Sequence, residues 1–375
     1  MRRSISNYLH EEVVVEILKR LPVKSLLKFR SVCKLWYSLI TNPNFISLHL
    51  THNKIDSLVW KNSAARSYEY TFVLHIYNDS FSELKQKFVM NSYIVGLCNG
   101  LVCLSDNRLY NRLIIWNPAL REFITTSLRH CTNLFAGFGF DRQNNDYKVV
   151  NIVYDYYHYS KRYSSLPDIV QPDSVAIFEL SSNVWRTITF KNLSCWVTNE
   201  SCVYLNGVSH WLAQTYDGIS TKRTILSFDL SNEAFKELML PHALAEETNE
   251  VRILLKVYRQ SLTVTHYERW RWIYRSYLQC SIWVMKDYGT PESWTKQFTI
   301  DLENHRGFKS VLNFQENGEI LFVLRLDDEI ISYDPKTRKV TRHGVYRSGL
   351  VVHSNYIESL VLLKGKRNIG NQLEG

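Results

Sequence analysis

Apolar and charged positions follow a helical spacing over the first fifty residues. Between Glu11 and Leu21 the apolar side chains recur at steps of one, three, one and three positions, which places them on one face of an amphipathic helix. Pro22 disfavours helical geometry in the residue before it and can open a second helix, and Asn42-Pro43 ends a third. The pattern predicts three short helices with apolar positions at Val13, Val14, Ile17, Leu18, Leu21, Leu26, Leu27, Phe29, Val32, Cys33, Trp36, Leu39 and Ile40. A segment of this size has too little volume to enclose all these groups, so we expect another surface to cover them.

Beyond these helices the pattern changes to short alternating apolar segments separated by turns, which is typical of an all-β region. Three Asn-Gly pairs, at 99–100, 206–207 and 317–318, lie between apolar runs, and they are separated by 107 and 111 residues. Because Asn and Gly accept positive φ angles, each pair predicts a hairpin with a two-residue turn. Further hairpins fit at 141–146 and 259–260.

An aromatic-centred element also repeats along this region. Its equivalent points are separated by 62, 50, 55 and 50 residues, at Trp116, Phe178, Phe228, Trp283 and Tyr333. A repeat near fifty residues that contains two hairpins is typical of a four-stranded propeller blade. Five blades are visible between about residues 94 and 345, and a sixth can be completed by pairing strands near 58–76 with residues 358–363. We therefore predict an all-β propeller of six blades, within a range of five to seven.

Composition narrows the class of protein. The chain has 375 residues, of which 45% are hydrophobic and 22% charged, with only 8 Pro and 14 Gly; this excludes a disordered or collagen-like chain. No run of about 18 apolar residues predicts a membrane span, and the N-terminus lacks the apolar middle of a secretion signal. Seven scattered cysteines are expected to be reduced thiols. We expect a cytoplasmic protein that can also be nuclear.

The net charge of +9 raises the question of nucleic acid. Residues 1–50 hold eight Lys or Arg and three Glu, a net charge of +5, which leaves +4 for the other 325 residues. A row of basic residues on the short helices can bind nucleic-acid phosphates, but the solvated faces of small helical modules are often basic only because this keeps them soluble. Nucleic-acid binding is therefore kept as an alternative to protein binding.

No motif for catalysis, phosphate binding or zinc binding is present in the sequence. Gly137 and Gly139 lie in a strand pattern, His210 beside Trp211 is expected to pack within a blade, and Asp327-Asp328 is expected to be solvated. We predict no catalytic residue, no metal site and no cofactor. A copper site built from the 23 Tyr and 7 Cys is the enzymatic alternative, because some propellers are enzymes.

Two segments are candidates for recognising a partner protein. The first runs from Tyr154 to Pro172, where the longest step of the repeat suggests a long loop rich in tyrosine. The second, His266 to Tyr277, interleaves aromatic and Arg residues, for which stacking on nucleic-acid bases is the competing interpretation. The alternative for the first is a surface loop without a partner. The candidate target-binding residues are Tyr156, Tyr157, Tyr159, Arg162, Tyr163, Arg269, Trp270, Arg271 and Trp272.

The helical segment resembles a known family. LKRLPVKSLLKFRSVCKLWYSLITNPNF closely resembles the F-box motif over residues 7–48, although Leu9-His10 stands where members usually carry Leu-Pro. The resemblance implies docking onto a Skp-type adaptor, which a cullin holds in a ubiquitin ligase. It assigns adaptor contacts to Leu9, Ile17, Leu18, Leu21, Pro22, Leu26, Val32, Cys33 and Trp36. Alternatively, several of these residues form the core of the segment itself.

The β region is similar to the plant F-box-associated domain of the first type, which is kelch-like. The similar strings include CNGLVCL, WNPALREF, LNGVSHWLA and SFDLSNEAF, in the family's order. The resemblance implies an F-box at 7–48, a linker at 49–56, a propeller at 57–364 and a flexible tail at 365–375. It also implies a non-catalytic receptor that brings a target protein to ubiquitination. Some members recognise pistil S-ribonucleases in self-incompatibility, and an adaptor-independent protein- or RNA-binding propeller is the alternative function.

Overall fold

The computed structural model of the chain describes residues 10–52, 56–62, 70–78, 80–87, 92–106, 112–127, 135–154, 172, 174–190, 193, 195–216, 220–245, 252–271, 276–315, 317–346, 350–363 and 367–368. Its helices are α1 (Glu11–Leu18), α2 (Val23–Phe29), α3 (Lys34–Thr41), α4 (Pro43–His52) and α5 (His242–Ala245). We refer to residues 10–52, which contain α1 to α4, as the helical head.

The three predicted helices of the head are present, and α4 is an addition that the pattern did not predict. Pro43 begins a helix as well as following one, because a proline at the first helical position loses no backbone hydrogen bond. The Asn42 side chain accepts a hydrogen bond from the N–H of Asn44 at 2.8 Å, which caps α4. Residues 49–52, predicted as linker, are consequently the last turn of this helix.

Apart from α5 and two short 3-10 helices, Pro291–Ser293 and Glu303–His305, the regular structure in the rest of the described chain is β. Its strands are β1 (Asp56–Asn62), β2 (Tyr70–Asn78), β3 (Ser80–Lys87), β4 (Ser92–Cys98), β5 (Leu101–Asp106), β6 (Arg112–Asn117), β7 (Glu122–Ser127), β8 (Phe135–Asp141), β9 (Asp146–Val153), β10 (Ser174–Glu179), β11 (Val184–Ile188), β12 (Cys195–Leu205), β13 (Val208–Tyr216), β14 (Thr221–Asp229), β15 (Ala234–Met239), β16 (Ile253–Tyr258), β17 (Ser261–Arg271), β18 (Ser276–Met285), β19 (Trp294–Asp301), β20 (Phe308–Phe314), β21 (Ile320–Leu324), β22 (Glu329–Asp334), β23 (Lys339–Tyr346), β24 (Leu350–Tyr356) and β25 (Arg367–Asn368).

These strands form six antiparallel four-stranded blades. Blade 1 is β24-β1-β2-β3, and blades 2 to 6 are β4 to β7, β8 to β11, β12 to β15, β16 to β19 and β20 to β23. Blades 5 and 6 share one sheet through the single pair Tyr277 and Phe308. The first strands of blades 1 to 5 are in contact in sequence, and β20 of blade 6 contacts β24. Apolar clusters of described residues fill the spaces between neighbouring blades from blade 2 to blade 6. The predicted propeller and its count of six blades are confirmed.

The ring closes with a different strand from the predicted one. Strand β24 pairs with β1, with Leu58 opposite His353 and Val59 opposite Val352, whereas residues 358–363 form no strand. The apolar side chains of 358–363 are instead divided between two cores, with Leu360 packed against the helical head and Leu363 packed between blades 2 and 3. In the predicted tail, β25 pairs with β7 at the outer edge of blade 2.

The turn predictions hold at two of the three Asn-Gly pairs. Asn99 and Gly100 have φ angles of 49° and 77°, and Asn206 and Gly207 have 52° and 88°, as a two-residue hairpin turn requires. The third pair lies in a longer connection, because β20 ends at Phe314 and β21 begins at Ile320. The aromatic repeat is confirmed, since all five of its residues lie on the third strand of blades 2 to 6.

Antiparallel pairing gives the propeller two faces with different connections. Turns between the first and second strands, and between the third and fourth strands, lie on one face, which we call the head face. The helical head packs there, against Ala119 and Leu120 in the turn from β6 to β7. Connections between the second and third strands of each blade lie on the opposite face, the far face. Among the described residues no helix is long and apolar enough to cross a membrane.

Candidate functional site

The helical head exposes a group of apolar side chains to solvent. Ten large hydrophobic residues of the described chain are exposed, and five of them lie between residues 13 and 37, with relative exposures of 43 to 61%. These five, which we call the exposed apolar set, are Val13, Ile17, Val32, Leu35 and Tyr37. Single exposed apolar residues are ordinary, whereas a concentration of them on one small module indicates a protein-binding surface.

The eight predicted adaptor residues that the structure describes are divided among exposed, half-buried and buried side chains. Ile17, Pro22, Val32 and Cys33 are exposed, and Leu21 and Trp36 are half-buried. Leu9 lies outside the described residues.

Leu18 and Leu26 lie inside the head's own core. Their relative exposures are 2% and 0%, and they pack with Val23, Ile40 and Phe45. Their side chains present no surface to a partner, which corrects their expected contact role to a packing role. The helical period could not separate them from Ile17, because the head has apolar residues on more than one side.

The sequence analysis did not assign Val13, Leu35 and Tyr37 to the adaptor surface. Val13 lies four residues before Ile17 on α1, so their side chains are neighbours on one helix face. This four-residue spacing is the sequence signal by which Val13 could have been assigned to the same surface as Ile17. Leu35 and Tyr37 flank Trp36 on α3, where only the position of the neighbouring elements reveals which side chain is covered.

The exposed apolar set is supported by packing within the head, and the charged residues beside it differ between the helices. The ring of Phe29 packs edge-on against Trp36 with 5.2 Å between centroids, and His49 Nε2 lies 2.9 Å from the carbonyl oxygen of Leu21. Burial lowers the pKa of His49. Helices α2 and α3 contain no acidic residue and expose Lys28 and Lys34, whereas α1 exposes three glutamates beside Val13 and Ile17. A partner with acidic groups fits the α2 and α3 part of this surface only.

The two segments that contain the predicted target-binding residues are flanked by strands that end at the far face. Tyr156, Tyr157, Tyr159, Arg162 and Tyr163 lie outside the described residues, as does Trp272. The flanking strands show that the first segment connects β9 to β10 and the second connects β17 to β18. Both are connections from the second to the third strand of a blade, so both leave the same face.

Arg269, Trp270 and Arg271 belong to β17 by their backbones. Trp270 pairs with Tyr277 and Arg271 with Ser276, at the last positions before the connection. The equivalent connection of blade 6 is described and carries Leu326, which is 59% exposed. Leu326 is a far-face residue that the sequence analysis did not single out, because one leucine beside Asp327 carries no periodic signal.

The described residues show packing at the positions where chemistry was considered. Burial raises the pKa of Cys98 and of Cys202 to about 12, so both thiols remain protonated at neutral pH. His210 is buried, with Nδ1 3.1 Å from the carbonyl oxygen of Val203 and Nε2 2.7 Å from the Tyr288 hydroxyl, which confirms its packing role. Within the described part of the chain, no group of three or more His, Cys, Asp or Glu is placed to hold a metal ion.

Comparison with known proteins defines the class. The model of the F-box domain matches residues 8–48, and the model of the F-box associated beta propeller domain matches residues 55–363. The chain is therefore an F-box protein with a propeller domain. It belongs to the F-box associated beta propeller family, and the helical head is its F-box.

Relatives of full length support this assignment. The chain is 30% identical to F-box protein At3g07870 of Arabidopsis thaliana, over 88% of this chain and 86% of that one. It is 28% identical to the F-box/kelch-repeat protein At3g23880 of the same plant, over 77% and 78% of the two chains. Among solved structures, the β-propeller domain of Myceliophteria thermophila Cps50 (Swd1) has a TM-score of 0.41 and 11% identity, covering 78% of this chain and 88% of that chain.

Proposed function

We propose that the protein is the substrate-recognition subunit of a ubiquitin ligase of the Skp-cullin-F-box type. The F-box binds a Skp-type adaptor and through it a cullin, and the propeller binds the target protein. The observation that supports this most is the exposed apolar set on the F-box, whose other side is covered by the propeller. An apolar helical surface of this kind suits a partner that supplies a groove between helices.

The proposed mechanism is proximity. By holding a target beside a ubiquitin-charged conjugating enzyme, the receptor raises the effective concentration of the target's lysines and breaks no bond itself. The F-box packs on the head face, and the strands that flank the two candidate segments end at the far face, so we expect adaptor and target to be bound together without overlap. No catalytic residue, metal or cofactor of this chain enters the mechanism.

The proposed adaptor contacts are the accessible members of the predicted group together with the rest of the exposed apolar set. Leu9 stays a prediction, and Leu18 and Leu26 support the surface from within. The resulting contact residues are Val13, Ile17, Leu21, Pro22, Val32, Cys33, Leu35, Trp36 and Tyr37.

The proposed target surface is the far face, with the connections at 154–173 and 271–276 as its recognition elements. A target with an acidic or mixed surface suits the mild positive charge of the propeller region, and a pistil S-ribonuclease is one target of the family to be tested. We also propose that the protein acts in the cytoplasm, with the nucleus as a second location. The alternative function is an adaptor-independent propeller that binds protein or RNA.

Co-purification with a plant Skp-type adaptor and cullin tests the adaptor half. Ile17→Asp should weaken adaptor binding by about 2 kcal/mol, because a charge enters an apolar interface. Val184→Asp is the matched control, since Val184 is equally exposed but lies on β11 of the propeller, and it should bind the adaptor like the wild type. Adaptor capture by Ile17→Asp at wild-type affinity would contradict the assigned surface.

Deletion of residues 156–165 tests the target half. The variant should unfold at the wild-type denaturant midpoint and still bind the adaptor, while it loses ubiquitination of a target captured by the full chain. A large fall in the unfolding midpoint would show that the segment is structural. Salt-sensitive RNA binding by the full chain, without adaptor capture, would favour the alternative function.

A further inference from the structure

The seven residues after the closing strand run between the propeller and the F-box. We call residues 357–363 the strap. They follow β24 directly and form no helix or strand, yet Ser359, Leu360 and Leu363 are buried. A segment without a regular ladder must have its polar backbone groups satisfied by side chains or water, so its partners indicate what holds it.

Asn117 holds the strap on the propeller side. This buried side chain donates from Nδ2 to the carbonyl oxygens of Ser359 at 3.1 Å and of Val361 at 2.9 Å. Its Oδ1 accepts a hydrogen bond from the N–H of Ala119 at 3.0 Å. One amide therefore fixes both the strap and the turn from β6 to β7, and that turn itself packs on the F-box core.

Gly100 brings a second turn against the strap. Its φ is +77°, and a Cβ at this position would lie 2.2 Å from the carbonyl oxygen of Ile357 and 2.3 Å from Cβ of Ser359. Only glycine permits this approach. Two strings that the sequence analysis singled out, CNG and WNP, thus meet at the strap.

Leu360 contributes to the F-box core. Its relative exposure is 0%, and it packs in the same apolar cluster as Leu18, Leu26 and Ile40. The F-box helices are short and cannot enclose such a cluster by themselves. The strap supplies a buried core residue from more than 300 positions further along the chain.

Glu358 supplies a polar contact to the start of α2. Pro22 precedes this helix without a side-chain cap, and no acidic residue lies in its first turn. The Glu358 carboxylate lies close to the backbone N–H of Val23 and to Lys24. A carboxylate at this position opposes the positive end of the helix dipole, where the N–H groups have no partner within the helix.

We infer that the strap is a structural part of the F-box, so that adaptor binding requires residues well outside the F-box sequence itself. The adaptor half of this inference rests on the proposed function, whereas the structural half does not. A chain that ends at residue 356 would keep residues 8–48 and all strands of the six blades, and we expect its F-box to be loosened.

A matched pair of leucine variants in the full chain tests the inference. Leu360→Ser removes the buried side chain, while Leu362→Ser changes a strap leucine that is 39% exposed. Hydrogen exchange without adaptor should be faster in α1 to α4 of Leu360→Ser and unchanged in β8 to β15. Its adaptor affinity should fall by about tenfold or more, in keeping with the cost of an emptied core site, and Leu362→Ser should match the wild type in both measurements.

Glu358→Ala and Glu358→Gln provide a second pair that is less disruptive to folding. A glutamine at this position can still accept a hydrogen bond from the N–H groups at the start of α2, so exchange there should be slower in Glu358→Gln than in Glu358→Ala. Wild-type exchange in Leu360→Ser, or equal exchange in the two Glu358 variants and the wild type, would overturn the inference. Failure of the wild type to bind the adaptor, with the exchange results as expected, would instead contradict only the proposed function.

Discussion

The F-box and the propeller differ in how they cover their apolar surfaces and strand edges. The propeller closes on itself, because β24 completes blade 1 and leaves no gap in the ring. The F-box remains open, with apolar residues directed both toward the strap and toward solvent. A small module of this kind depends on surfaces supplied by others, so its completion by the strap and its capacity to bind a partner have one physical origin.

The two regions also differ in how they use charge. On the F-box, Glu16 pairs with Lys19, whose side chain is largely buried, and at 3.0 Å with Arg20, which is exposed just after α1. Between blades 3 and 4 the Lys148 ammonium is buried and lies 2.7 Å from Asp141 and 2.8 Å from Glu233. Surface pairs contribute little to stability, whereas breaking a buried pair leaves a charge without compensation.

Removing Lys148 should lower the unfolding free energy of the propeller by more than any single surface change lowers that of the F-box. Burial by itself would raise the pKa of Asp141, but hydrogen bonds from Lys148, Asn144 and Ser231 hold that pKa well below its usual value. Lys148→Met leaves this carboxylate charged and unpaired, and we expect a loss of about 3 to 5 kcal/mol of unfolding free energy.

Urea unfolding of Lys148→Met measures that loss. Arg20→Gln is the comparison in the F-box, because it removes the exposed pair with Glu16, and it should change the unfolding free energy by no more than about 0.5 kcal/mol. If Lys148→Met unfolds at the wild-type urea midpoint, the buried ion pair does not stabilise the propeller more than the surface pair stabilises the F-box.

Asn117→Ala should weaken the contact between the two regions. The substitution leaves the buried carbonyl groups of Ser359 and Val361 without their donor, at an expected cost of about 2 kcal/mol. The measurement is hydrogen exchange of the strap and of α2 in the full chain. Exchange that rises only within blade 2 would indicate that Asn117 serves the β6 to β7 turn alone.

Acid should loosen the contact between blades 4 and 5. Burial lowers the pKa of His210 to about 4, so this ring is neutral in the folded protein and gains a proton more readily when unfolded. Its contribution to stability is therefore full above about pH 6.5 and is lost as the pH falls toward 4. We expect about 1 kcal/mol less unfolding free energy at pH 5.5 than at pH 7 from this group.

His210→Gln provides the comparison for the pH measurement. It should be less stable at pH 7 but should show a smaller fall between pH 7 and pH 5.5, because no ring titrates at this position. Equal falls in the two proteins would show that protonation of His210 does not limit the stability of this contact.

Much of the fold could be predicted from local patterns. The Asn-Gly turn at 99–100 and the third-strand positions of Trp116 and Phe228 were visible because hairpins and strand repeats depend on near neighbours. The helical pattern did not separate exposed from buried positions of the F-box, since Ile17 is exposed while Leu18 beside it is buried; the contact of Ile17 with an adaptor stays a prediction. A helical period shows that side chains share a face, but it does not show which surface covers them.

The remaining features depend on residues far apart in the sequence. Leu360 fills the F-box core and Asn117 holds the strap across more than 240 positions, and β24 closes the ring instead of residues 358–363. Short-range periodicity specifies elements because neighbouring residues share one backbone geometry. The choice among distant partners is made by packing, since the segment that best fills a core and satisfies its buried polar groups excludes the others.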